Sequence, residues 1–227
     1  MKKIYEGKTK TVYQLDDGNV KLFFKDDVTG KDGVFDPGEN QVGLTIKDNG
    51  YYGLLMTKLM FEKIEQEGIS THYILANPDE RTMTVKPVTV FGKGIEVICR
   101  LKATGSFIRR YGEYAKDGDI LDYYVEVSLK DDEKGDPFIS EELLEKFKIL
   151  DKDEYKTLEK ATKDITKIIQ KTIEDKKLEL IDIKLEFGRD KQGNIVLIDE
   201  ISGGNMRVYK DGKSVKPIEL SKILLDM

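Results

Sequence analysis

Lys184, Glu186, Asp199 and Glu200, followed by Ser202-Gly203-Gly204 and Arg207, bring residue types that handle phosphate and divalent cations into one short stretch. Ile181, Ile183, Leu185 and Phe187 alternate with Asp182, Lys184 and Glu186, so a strand over 180–187 gathers its charges on one face. A polar turn over 188–194 and a second strand over 195–201 complete a predicted hairpin. Pairing Lys184 with Asp199 brings Asp199 diagonal to Glu186. Two carboxylates beside an ammonium then offer oxygen ligands to Mg²⁺ bridging to phosphate. A register with Lys184 opposite Glu200 turns Asp199 to the other face and removes a ligand. A solvated outer face laced with ion pairs is the competing reading.

Two further clusters carry chemistry. In Tyr5-Glu6-Gly7-Lys8-Thr9-Lys10-Thr11-Val12-Tyr13, Lys8 and Lys10 project from the same side of an extended chain. With Gly7 allowing close backbone approach, they suit a polyphosphate. The spacing is not that of a Walker loop and lies nearer the Gly-rich hairpin of kinases. An exposed basic edge strand is the alternative. Arg100 ends an apolar run and precedes Thr104-Gly105-Ser106 and a basic stretch to Gly112. Its guanidinium, the Ser106 hydroxyl and nearby amides can converge on one phosphate, with Arg matching the planar anion better than Lys. A surface turn is the alternative there, and Arg109 and Arg110 read as surface or subunit-contact residues. His72 is the only histidine and lacks partners at metal-ligand spacing; Cys99 lies in an apolar run and reads as a buried structural thiol. No nucleophile–base triad is available, so the chemistry must rest on charge, metal and positioning.

The elements that must position these groups follow from patterning. Among 227 residues, 38 Lys+Arg against 43 Asp+Glu give a net charge of −5, with 39% hydrophobic and 36% charged residues. Such a chain has no basic excess to grip a nucleic acid. It has no apolar run of membrane-spanning length. One cysteine and a polar start fit a cytoplasmic protein. Strands are predicted over 3–6, 11–15 and 20–24, with a tight turn at Asp16–Asn19. Residues 26–40 read as a loop or lid, and 49–66 as a helix. Strands follow at 71–75, 82–86, 95–101 and 123–129. Ser140 caps a short helix. A long helix spans 151–176, with Leu158, Ile165, Ile168, Ile169 and Ile173 on one side, and a last short helix covers 218–225. The class is α+β, with a β-rich first part.

In this order, the segments EGKTKTVY (6–13), Asp32-Gly33, EVICRLKATGSFIRRYG (96–112), Lys130-Asp131-Asp132 with Asp136-Pro137, IKLEFG (183–188) and DEISGGNMR (199–207) resemble the phosphoribosylaminoimidazole-succinocarboxamide synthase (SAICAR synthetase) family of purine biosynthesis. The resemblance spans nearly the whole chain. It implies a two-lobed fold distantly related to kinases. Residues 1–91 would form a nucleotide-binding lobe and 92–227 a lobe with the ribonucleotide and metal sites, ATP lying between them. Carried over by position, Gly7, Lys8, Thr9, Lys10, Val12, Lys86 and Val90 would hold ATP, with Val90 near the adenine. Glu186 and Asp199 would bind Mg²⁺. Arg100, Ser106, Lys184, Asn205 and Arg207 would hold substrate, and Lys184, Lys130 and Asp199 would serve the reacting groups. The implied reaction phosphorylates the carboxylate of carboxyaminoimidazole ribonucleotide to an acyl phosphate, which the amine of L-aspartate attacks. Such chemistry needs positioning and cationic stabilisation rather than a protein nucleophile. A homodimer is implied as well.

One departure stands out. Where the family commonly reads Asp-Glu-x-Ser-Pro-Asp-x-x-Arg, this chain has Gly203-Gly204 in place of Pro-Asp. That loop is expected to be more mobile, with Asn205 taking part of the missing acid's role. Two rival readings keep part of the motif set: a kinase-like phosphotransferase on a small molecule or protein, and a nucleotide sensor without turnover.

Overall fold

A computed structural model describes residues 1–31, 34–35 and 41–227. Three strands open the chain: β1 (Lys2–Glu6), β2 (Lys10–Gln14) and β3 (Val20–Phe24). In the β2–β3 turn the Asp17 carboxylate accepts a bond from the Asn19 N–H at 2.9 Å, an Asp–Asn device that fixes a tight turn. The predicted loop over 26–40 instead contributes β4 (Asp27–Lys31) and β5 (Val34–Phe35), which join β6 (Val42–Thr45) in a small three-stranded sheet. Val28 of β4 is buried, at 2% exposure. The Asp26 carboxylate holds this segment to its surroundings by accepting from the Gly50 N–H and Arg81 Nη1, both at 3.0 Å. Asp32-Gly33 lie outside the described residues. Helix α1 (Asn49–Gln66) follows, then β7 (Tyr73–Asn77) and β8 (Thr82–Val85). They complete a five-stranded antiparallel sheet in the order β1-β2-β3-β8-β7.

The remaining chain builds a seven-stranded sheet. It contains β9 (Thr89–Val90), β10 (Ile95–Lys102), α2 (Ser106–Tyr111), β11 (Ile120–Leu129), α3 (Glu141–Lys146), α4 (Lys152–Glu174), β12 (Glu179–Arg189), β13 (Ile195–Ile198), β14 (Met206–Lys210), β15 (Lys213–Ser214) and α5 (Pro217–Leu224). Asp151 starts α4 with a capping box: its carboxylate accepts from the Asp153 and Glu154 N–H groups while Glu154 accepts from Asp151 N–H. The buried side of α4, with Leu158, Ile165, Ile169 and Ile173, packs on β12 and its neighbours. One continuous apolar core runs through both sheets and includes Phe24, Leu54, Phe61, Val97, Ile183 and Leu185.

β12 lies at the centre of this sheet rather than on its outside. β10 and then β9 run along one edge of it, β14 and then β13 along the other. On its charged face Asp182 is buried and Lys184 and Glu186 are half-buried, so this face is not a freely solvated one, although ion pairs do lace it. The hairpin register also differs from the Lys184–Asp199 pairing: Glu186 stands opposite Ile198 and Phe187 opposite Leu197. Continued, that register would set Lys184 opposite Glu200, but the ladder stops at Ile198 because Asp199 turns into the left-handed region at φ 67°. The chain loops out over 199–205 and rejoins β12 through Asn205, whose carbonyl accepts from Lys184 N–H at 2.8 Å.

Candidate active site

The loop rejoins β12 where Asp182, Lys184 and Glu186 share a face. A cavity of about 220 Å³ opens there between the β1–β2 turn and β12, lined among others by Gly7, Lys8, Thr9, Lys10, Val12, Lys130, Glu186, Asp199 and Glu200. A larger one, about 560 Å³, lies beside it and is lined by Arg100, Ser106, Arg109, Arg110, Asp182, Lys184, Asn205 and Arg207 among others. Glu96, Asp132, Asp136, Lys184 and Asn205 line both, so these residues form the seam where the two spaces meet.

The smaller cavity is a lattice of ion pairs. Lys10 is buried, at a cost that only close carboxylates offset; its Nζ lies 3.1 Å from Asp199 Oδ1 and 2.8 Å from Glu200 Oε1. Burial alone would lower the Lys10 pKa, but these two acids raise it overall. Lys130 Nζ meets Glu186 Oε1 at 2.7 Å, and its pKa is likewise raised by Glu186 and Asp199 against the effect of burial. Lys8, in the β1–β2 turn, reaches Asp132 at 2.6 Å. Burial first, then the Asp199 charge, push the Glu186 carboxyl up to about 7. Burial opposes ionisation of Asp199 too, yet Lys10 and Lys130 hold its pKa below the ordinary value. Two carboxylates that resist ionising together are a fit for a hard divalent ion, which would relieve their repulsion. Among the described residues no group of three or more His, Cys, Asp or Glu side chains is arranged as a metal cage. A cation here would complete its shell with phosphate oxygens and water, the usual habit of Mg²⁺.

The larger cavity is floored by arginines. Arg100 is only 1% exposed and fully engaged. Its Nε donates to Glu126 Oε1 at 2.7 Å, Nη1 to Asp182 Oδ2 at 2.8 Å and Nη2 to Ser106 Oγ at 2.9 Å. Arg207 Nη1 shares the same Asp182 oxygen at 2.7 Å, and Arg110 Nη2 meets Glu126 at 2.6 Å. Three guanidiniums converge on two buried carboxylates here, a cationic floor of the kind that suits an anion. Gly105, at φ 54°, allows this density, since a Cβ there would lie 2.8 Å from Arg207 Nη2. Lys184 reaches back to Glu96 Oε1 at 2.8 Å and so stands in the seam.

The structure thus gathers most of the residues singled out from the sequence around two adjoining spaces. Lys86 and Val90 are exceptions and line neither cavity. Lys86 lies past the end of β8 with its side chain exposed, and Val90 sits on β9 against Gly188. Arg109 is exposed, as the surface reading has it, yet it lines the larger cavity together with the half-buried Arg110, which meets Glu126. The 202–205 loop is packed rather than loose. Ser202 and Gly203 are buried. Ser202 N and Oγ both bond Asn205 Oδ1 at 3.1 Å, and Gly204 N bonds Ser202 Oγ at 3.0 Å. Glu96, Glu126 and Asp136 were missed as site residues; a lone acid inside the apolar run of β10 was the signal available for Glu96. His72 is buried and pushed down to about 4 by burial, hence neutral, and burial raises the Cys99 thiol to about 11, hence inert.

The SAICAR synthetase family profile matches residues 3–223. This chain belongs to the SAICAR synthetase family. It is 55% identical, over the full length of both chains, to a Clostridium tetani protein named phosphoribosylaminoimidazole-succinocarboxamide synthase. A Methanocaldococcus jannaschii protein of the same name is 32% identical, covering 91% of this chain and 81% of that one. Among solved structures, a SAICAR synthetase (Type-2) in complex with ADP superposes with a TM-score of 0.85 at 29% identity, covering 98% of this chain and 95% of the other. A SAICAR synthetase from Pyrococcus horikoshii OT3 gives 0.82 at 27% identity, covering 96% and 98%. The mixed α and β architecture is that of SAICAR synthetases, and the family match gives no support to a kinase-like phosphotransferase.

Proposed function

We propose that this chain is an ATP-dependent carboxylate–amine ligase of purine biosynthesis, joining L-aspartate to carboxyaminoimidazole ribonucleotide with release of ADP and phosphate. The observation that carries the residue-level reading is the seam. A lysine- and carboxylate-lined space suited to a nucleotide meets an arginine-floored space suited to a phosphorylated substrate, and Lys184 stands between them. Phosphoryl transfer from one space to an acceptor in the other needs such adjacency above all.

In this reading Gly7, Lys8 and Lys10 hold the nucleotide phosphates. The relative solved with ADP supports nucleotide binding. Glu186 and Asp199 hold Mg²⁺, which supplies charge neutralisation on the phosphate oxygens when bound. Arg100 and Arg207, fixed by Asp182, and Ser106 hold the ribonucleotide phosphate. Lys184 and Lys130 steady the developing negative charge on the reacting oxygens. Asn205 orients substrate beside them. Among the described residues no helix is long and apolar enough to cross a membrane, and the proposed pathway is that of a cytoplasmic enzyme. Incubation with ATP, carboxyaminoimidazole ribonucleotide and L-aspartate tests the assignment. Phosphate release that requires all three supports it, whereas ADP formation in the absence of aspartate and ribonucleotide, with some other acceptor, overturns it.

A further inference from the structure

Joining an amine to an acyl phosphate releases a proton, and the seam contains one carboxylate suited to take it. Of the acids lining both cavities, Glu96 is held by Lys184 and Asp132 by Lys8. Asp136 lines both as well and has no cationic partner among the described residues. Its Oδ1 is anchored by the Asp131 N–H at 2.8 Å, and its own N–H returns a bond to the Asp131 carbonyl at 3.0 Å. This reciprocal clasp aims the side chain while leaving Oδ2 uncommitted. The backbone is held at φ 48° immediately before Pro137. Left-handed geometry is unfavourable for a residue with a Cβ, and a following proline narrows the choices further. Such strain persists where surrounding structure enforces it, and it concentrates at functional sites.

We propose that the Asp136 carboxylate accepts the proton released when the aspartate amine attacks the acyl phosphate. The inference rests on the ligase reading above. The C–N bond forms as the bond between the acyl carbon and the phosphate oxygen breaks. Phosphate leaves with the electron pair, and the nitrogen's proton passes to Asp136 and then to water. The charged groups that act on Asp136 suit this task. Burial raises its pKa, the Asp131 N–H opposes, Glu96 and Asp132 add to the rise and Lys184 moderates it. A carboxylate made more basic than usual is a better acceptor near neutral pH.

Hydroxylamine separates this step from phosphorylation, because it is a neutral nucleophile at pH 7 and traps acyl phosphates as hydroxamates without a base. Asp136→Asn keeps an acceptor for the Asp131 N–H and tolerates the left-handed backbone. In this variant aspartate-dependent phosphate release should fall roughly 10²-fold or more while hydroxamate formation changes less than about threefold. Should Asp136→Asn not fold, Asp136→Gly removes the carboxylate and the strain together and gives the same comparison. Equal losses in both assays, or unchanged turnover with aspartate, overturn the assignment. A wild-type enzyme that forms neither product nor hydroxamate overturns the ligase reading itself, and the base with it.

Discussion

Replacing Glu186 with Gln should make the ligand-free protein more stable at pH 8 while removing its activity. Burial and the neighbouring Asp199 raise the Glu186 carboxyl from 4.5 to about 7. Between those values the folded chain holds a proton that the unfolded chain has lost, so stability falls as pH rises through that window. At 1.36 kcal/mol per pH unit, ionising this group in the folded state costs about 3 kcal/mol by pH 8 relative to pH 4.5. Gln mimics the protonated acid at every pH and abolishes the slope. Lys130 stays charged throughout, so its 2.7 Å contact does not alter the sign. For a chain of this size 1 kcal/mol is about 2–4 °C in Tm. The gap between variant and wild type should therefore widen by roughly 6–12 °C between pH 4.5 and 8. Circular dichroism melts in chelator, without nucleotide, measure it directly. Parallel curves across that range refute the claim that Glu186 is destabilised by ionisation. Adding ADP and magnesium should then stabilise wild type far more than the variant, because only a carboxylate rewards the cation.

Arg100→Lys should raise the KM for the ribonucleotide and lower stability together. A single ammonium cannot satisfy Glu126, Asp182 and Ser106 at once, and leaving a buried carboxylate short of its partner costs about 3–5 kcal/mol in comparable sites; an unchanged KM with an unchanged melt contradicts this. Gly203→Ala should destabilise by roughly 1–3 kcal/mol, since the new Cβ would lie 2.5 Å from the Pro217 Cα; a melt equal to wild type contradicts the tight packing of that loop.

Much of the fold was legible because periodicity reports burial. The alternation of β12, the Ser140 cap of α3 and the Asp16–Asn19 turn all act locally, and the structure keeps each of them. Pairing was less legible. The Glu186–Ile198 register and the turn of Asp199 out of the ladder depend on a left-handed residue that strand patterning does not reveal. The smallest strands, β5, β9 and β15, fall below the length at which alternation can be seen. At the site, residue type pointed to Lys10, Glu186 and Arg100, but their partners came from other parts of the chain. Glu126 is brought to Arg100 by the β10–β11 pairing, which sets Arg100 opposite Tyr124. Asp182 meets both Arg100 and Arg207 because β12 runs between their strands. No one-dimensional spacing encodes that shared oxygen.

The ion pairs of the smaller cavity mean that its lysines come already matched with internal counterions. A bare polyphosphate entering there would have to strip Lys8, Lys10 and Lys130 from their acids and leave those acids facing its own charge. An anion arriving with its divalent cation would meet no such conflict, because the lysines could turn to the phosphates as the carboxylates turned to the ion. On the proposed function the pocket would therefore favour the neutralised complex over the naked anion, through an exchange of partners in which little net charge has to be moved.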